Sequence, residues 1–192
     1  MLTELDAVNQ MLIAVGSGVV TSISGNTNRD VAACRDILKR ARIRVCAEGW
    51  HFNTETDIAM APDATTGMIE LPSDTLHVDD SSERYQSQLD IIQRGSRLYN
   101  RDGNTYKFTK TIYVDRVFEM DWDDLPEVAR HYIAAVATEE AVTYLDGEQL
   151  AVTRAMSRIM SARKDMMSHE TRSADLTVFD QETEYNIRYR RR

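Results

Sequence analysis

The feature that most constrains this chain is a change of period at Gly49. From Asn28 to Glu48 the apolar residues Val31, Cys34, Leu38, Ala41 and Val45 fall at three- and four-residue steps, the spacing of one buried helix face. Past Gly49 the step becomes two: Trp50, Phe52, Thr54, Thr56 and Ile58 alternate with His51, Asn53, Glu55, Asp57 and Ala59. Helix and strand present their side chains with different periods, so the structure must change here. Gly49 is predicted to end the helix in the left-handed conformation of a C′ residue, and Asn28 to cap its start. The strand is expected to follow the cap directly, with Trp50 packed against both helix and sheet.

Residues 3–15 place Leu5, Val8, Leu12 and Val15 at helical steps behind Thr3, and Gly16-Ser17-Gly18 stops that helix. A loop turning at Gly25-Asn26 leads to the second helix. Residues 61–122 read as β structure. MIELPSDTLHVDD offers two short strands broken at Pro72, and the Asp102-Gly103 step suits a tight hairpin turn. A single small antiparallel sandwich or barrel-like sheet is expected. Helix returns in DLPE, where Asp124 is predicted to cap and Glu127 to complete a capping box around Pro126. Val128, Tyr132, Ala135, Val136, Glu139 and Val142 carry that helix to Asp146-Gly147. A fourth helix, 148–168, holds Val152, Met156, Ile159 and Met166.

The predicted fold class is therefore α+β. A helical lobe of four helices comprises 1–48 plus 124–169, a small antiparallel β lobe is inserted at 49–123, and 170–192 forms an extended C-terminal arm. In that arm Leu176, Val178, Tyr185, Ile187 and Tyr189 are too apolar for a solvated tail. The arm reads either as a segment that orders on a neighbouring subunit or partner, or as a strand closing its own sheet.

Charge narrows the functional classes. A net charge of −8 argues against a general nucleic-acid binder. The distribution is uneven: Arg29, Arg35, Lys39, Arg40, Arg42 and Arg44 crowd the second helix, and Arg188, Arg190, Arg191 and Arg192 lie in the arm. Acids gather in 119–127 and 170–184. Such polarity suits complementary protein surfaces, as well as plain solvated helix faces. No run reaches the ~20 apolar residues of a membrane span, and the N-terminus carries acids before its apolar part, unlike a secretory signal. Cys34 and Cys46 fall on one predicted helix roughly 18 Å apart, too far to bond, which favours a reducing compartment such as the cytoplasm. The four histidines have no HxxxH or HxH spacing and no CxxC beside them, so no metal site is expected.

Catalytic motifs are missing from the sequence: it has no GxSxG, no GxGxxG and no P-loop. The densest carboxylates, Glu119, Asp121, Asp123, Asp124 and Glu127, could serve acid–base chemistry in a cleft, but at a helix start they are better read as capping groups.

Several stretches together resemble the tail tubular protein A family of short-tailed phages. LDAVNQMLIAVG, a loop and DVAACRDILKRARIRVCAEGWHFN lead into the family's Gly-Trp-x-Phe-Asn step, matched here by Gly49, Trp50, Phe52 and Asn53. IELPSDTLHVD, RGSRLYNRDGNTYKF and DLPEVARHYIAAVATEEAV follow in the family's order, so the resemblance covers residues 4–145. The first loop, GSGVV, lacks the proline that often follows its glycine in relatives, and the arm matches no family pattern.

The resemblance implies a structural virion protein with no required cofactor, localised to the tail and assembled in the host cytoplasm. It implies a homo-oligomeric ring, typically of twelve copies, between the portal protein and the tail nozzle protein, with tail fibres as a further partner. Genome DNA passes through the centre without specific binding. A head-to-tail ring needs two different complementary patches. The candidates are the basic second helix (Arg35, Lys39, Arg42), the fourth helix (Met156) and the arm (Val178, Tyr185, Tyr189, Arg190). Two other readings stand beside it: a virion-associated glycan hydrolase using Glu119, Asp121 or Asp123, and a protein–protein interaction module unrelated to phage.

Overall fold

The computed structural model describes residues 1–81, 89–145 and 149–173. They form two compact units, Met1–Leu38 with the described residues from Pro126 onward, and the described residues of Lys39–Leu125.

The first unit is helical. Helix α1 (Glu4–Ala14) starts in a capping box: the Thr3 hydroxyl accepts from the Asp6 N–H while the Asp6 carboxylate accepts from the Thr3 N–H. The Thr3 hydroxyl also donates to the Asp6 carboxylate at 2.6 Å, and that bond, with the one from the Thr3 N–H, holds the Asp6 carboxyl below its usual range. The helix buries Ala7, Val8, Met11 and Leu12, a stripe two residues wide that leaves Leu5 and Val15 half-exposed. Helix α2 (Arg29–Cys46), whose residues from Lys39 on belong to the second unit, starts where Asn28 Oδ1 accepts from the Asp30 N–H at 2.9 Å.

Helix α3 (Glu127–Tyr144) buries most of its circumference, from Ala129 and Ile133 to Ala141 and Val142, and packs on both α1 and α4 (Gln149–Ser173). Its four alanines on the buried side let those neighbours approach closely. The predicted capping box at its start does not form. Trp122–Asp124 is a 3-10 turn that draws Asp124 away from the helix end, and the N-cap is Pro126, which has no capping side chain. Glu127 faces the chain's N-terminus instead, its Oε1 accepting from the Leu2 N–H at 2.7 Å. Helix α4 outruns its expected end at 168 and continues to Ser173, so the first residues of the predicted arm are helical.

The second unit holds the strands. Strand β5 (Ile112–Phe118) is central in a three-stranded antiparallel sheet, order β1-β5-β2, with β1 being Thr54–Met60 and β2 Thr75–Asp80. Strands β3 (Ile91–Arg94) and β4 (Arg97–Asn100) make a second, two-stranded sheet. The expected single sheet is thus two, and Ile69, Leu71, Val78, Ile91, Leu98, Phe108 and Val114 form one core with residues from both. The tight hairpin lies at Gly95-Ser96, where Gly95 has φ +63°. Asp102-Gly103 belongs to a wider turn closed by Asn100 and Thr105, which needs its left-handed residue at Asn104. Arg116 secures the central strand, donating to Glu55 on β1 and to Asp74 just before β2.

The period change at Gly49 resolves into a short connector. Gly49 takes φ +72°, and its place is close: a β-carbon there would lie 3.3 Å from Val117 Cγ2. His51–Asn53 then make a 3-10 turn, so the strand begins at Thr54 rather than at Trp50. A bulge between Glu55 and Ile58, with Asp57 at φ +56°, breaks the expected alternation. Asn53 is fully buried and takes up the loose backbone ends. Its amide donates to Cys46 O and Phe118 O, each at 2.8 Å, and its carbonyl accepts from the Trp50 N–H. The Trp50 indole donates to Val45 O at 2.9 Å, satisfying another carbonyl at the end of α2.

Candidate assembly surfaces

Helix α2 must bury Val31, Cys34, Leu38, Ala41 and Val45, which leaves its long basic side chains on the other face. Arg35 and Lys39, one turn apart, are exposed and have no acidic partner among the described residues. Arg42 is placed differently. It is only 17% exposed, with Nη2 2.6 Å from Glu119 Oε1 and Nη1 3.4 Å from Asp121 Oδ1. Glu119 and Asp121, read from sequence as capping groups or catalytic acids, are therefore held by an arginine 77 and 79 residues away. Asp123 and Asp124 lie exposed on the 3-10 turn above buried Trp122.

Helix α4 presents two apolar faces. Ala155 and Met166 are buried on the side facing α3, where Arg163 Nη1 donates to the Tyr132 hydroxyl at 2.6 Å. Met156, Met160 and Met167 are 53%, 75% and 52% exposed. Spaced by four and then seven residues, these three lie on one face. The sequence pattern put Met156 and Met166 in one stripe, yet ten residues of helix set them roughly a quarter-turn apart. Methionine on a free face is flexible and polarisable, suited to contacts that must adapt to their partner.

One basic surface escaped the sequence reading. Arg94, Arg97, Arg101, Lys107 and Lys110 are exposed along β3, β4 and the turn after them. The Arg94 guanidinium lies 3.6 Å over the Tyr99 ring, which meets Tyr106 edge-on at 4.8 Å. The signal lies in the sequence as five cations in seventeen residues with tyrosines between them. Val178, Tyr185, Tyr189 and Arg190 lie outside the described residues.

Both thiols are buried and free. Burial, with Asp30 adding to it, pushes Cys34 up to about 11, and burial also raises Cys46, so both are neutral thiols near pH 7. Among the described residues no group of three His, Cys, Asp or Glu side chains could hold a metal ion, and no helix is long and apolar enough to cross a membrane.

Exposed cations on one helix and exposed methionines on another are surfaces suited to contacts with other proteins. The chain belongs to the tail tubular protein family, whose sequence profile matches residues 5–176. It is similar to tail tubular protein A of Klebsiella phage KP34, 29% identical over 140 residues that cover 72% of this chain and 71% of that one. It is accordingly a structural protein of a phage tail, a virion component that works in tail assembly with other virion proteins.

Proposed function

We propose that this protein is the subunit of an adaptor ring, of about twelve copies by family resemblance, that joins the portal of the capsid to the tail nozzle and forms part of the channel for DNA ejection. The observation that carries this reading is the exposed methionine face of α4. A free apolar stripe on an otherwise polar helix is costly in water unless a partner covers it. Copies related by rotation meet through two different patches, and the exposed cations of α2 and the acidic stretches of the chain supply complementary charge. The role is structural, not catalytic: Glu119 and Asp121, two of the carboxylates a glycan hydrolase would use, are ion-paired with Arg42. A subunit charge of −8 repeated around a channel repels the phosphate backbone and keeps DNA from adhering to the wall.

Native mass spectrometry of the full chain, alone and mixed with the cognate portal protein, tests the reading. A ring-sized or portal-dependent assembly supports it. A monomer indifferent to the portal overturns it, and release of sugars from host cell wall or capsule would put a hydrolase in its place. DNA ejection unchanged after lumen-facing acids are replaced with lysine would show that the wall's charge has no part in it.

A further inference from the structure

Helices α1, α3 and α4 of the first unit enclose two adjoining depressions, of about 660 and 210 Å³. Both are lined by Gln10, Thr138 and Arg158, so they form one groove along α4. Much of its lining is alanine, including Ala135 and Ala162, whose short side chains leave the space open. Arg154 and Arg158, one turn apart on α4, supply positive charge, and neither has an acidic partner among the described residues. The lining includes a single acid, Asp165, at the far end.

The geometry points to a specific occupant: residues 175–184 of a second copy of this chain. That segment, DLTVFDQETE, carries Asp175, Asp180, Glu182 and Glu184 with no lysine or arginine, beside Leu176, Val178 and Phe179. Its acids complement Arg154 and Arg158, and its apolar side chains fit the alanine-lined space. Length allows it. From Ala151 to Asp165 the groove follows about 21 Å of helix, and ten extended residues reach about 33 Å. The sequence also favours another copy over the segment's own helix. Docking on its own helix would need the chain to reverse just after Ser173, and between Ser173 and Tyr185 there is no glycine, asparagine or proline, the residues that commonly supply a reversal. Each copy would thus offer a groove and a plug, the two unlike patches of a head-to-tail contact. The inference rests on the ring reading and names the contact that would build it.

Photocrosslinking in the full chain tests it, with Phe179 replaced by p-benzoylphenylalanine and equal amounts of isotopically heavy and light protein mixed before irradiation. The expected crosslinks join heavy to light chains and map to peptides of α1, α3 or α4 around Gln10, Thr138 and Arg158. Arg154→Glu with Arg158→Glu should lower their yield on the order of tenfold, and adding Asp180→Lys with Glu182→Lys should recover most of it. Crosslinks confined to one chain, or mapping elsewhere in an assembly that still forms, overturn the groove while leaving the ring reading intact. Failure of the chain to assemble with or without the portal overturns both. An unchanged thermal transition in the charge-reversed variant separates lost contact from lost folding.

Discussion

Asn53 Nδ2 lies 2.8 Å from the carbonyl oxygen of Phe118, 65 residues further along, and the same amide reaches Cys46 O at 2.8 Å. One buried side chain thereby ties the end of α2 to the end of the central strand. Asn53→Ala would remove three hydrogen bonds at once, leaving Cys46 O with the Gly49 N–H at 3.1 Å in place of two donors. It should cost about 2–4 kcal/mol in urea unfolding, and Asn53→Asp, which loses both donors and buries a charge, no less. A loss below about 1 kcal/mol would mean that water replaces the amide and that the hub is dispensable.

Gly49 and Gly18 form a matched pair. Gly49→Ala must hold φ +72° and crowd Val117, and should destabilise by about 1–2 kcal/mol. Gly18 has open space around it and no positive φ, so Gly18→Ala should be within about 0.5 kcal/mol of neutral. Equal effects in thermal denaturation would contradict the C-cap assignment.

Arg42 and Glu119 are 17% and 24% exposed, so their ion pair is only partly screened by solvent. A double-mutant cycle with Arg42→Met and Glu119→Gln should give a coupling of about 1–2 kcal/mol. Asp121 is 86% exposed, and Asp121→Asn should change stability by less than about 0.5 kcal/mol. A coupling indistinguishable from zero would return Glu119 to the pool of unassigned acids.

The two methionine faces of α4 should separate folding from assembly. Met156→Gln with Met160→Gln should leave the unfolding free energy within about 0.5 kcal/mol of the parent and abolish higher-order assembly in native mass spectrometry. Met166 is fully buried, and Met166→Ala should cost about 2–4 kcal/mol. Full assembly by the double glutamine variant would show that the exposed stripe is not an interface.

Asp80 sits at the end of β2, 9% exposed, with Oδ2 lacking a hydrogen-bond partner among the described residues. Burial raises its carboxyl above the usual range, with Asp90 adding to the shift. An acid that binds its proton more tightly when folded loses stability as pH rises from the ordinary carboxylate range through the raised folded value, and stays penalised above it. Asp80→Asn should therefore raise the melting temperature at pH 7, with the gain shrinking towards zero as pH falls to the ordinary carboxylate range. A gain that does not depend on pH would rule out ionisation as the cause.

Local chemistry makes much of this protein legible in its sequence. Asn28, Thr3 and Gly49 act at helix ends because capping depends only on a side chain and the few backbone groups beside it. The run of helix, strands and helix follows from apolar spacing, and the ordered stretches from LDAVNQMLIAVG to DLPEVARHYIAAVATEEAV carry the family. The tight turn expected at Asp102-Gly103 formed instead at Gly95-Ser96, because strand pairing, which local sequence does not fix, sets where the two-residue hairpin closes. DLPE has the letters of a capping box, but Trp122 is buried in a 3-10 turn that moves Asp124 out of place.

What the sequence by itself determined is the alternation of helical and strand periods, the sites of their caps, the uneven charge and the family. Only the tertiary structure decided that Arg42 meets Glu119, that Asn53 bridges Cys46 and Phe118, and that Met156 faces solvent while Met166 is buried. The reason is physical: a period or a cap is set by neighbours along the chain, whereas the partner of a buried polar group and the covered side of a helix depend on elements brought together by packing.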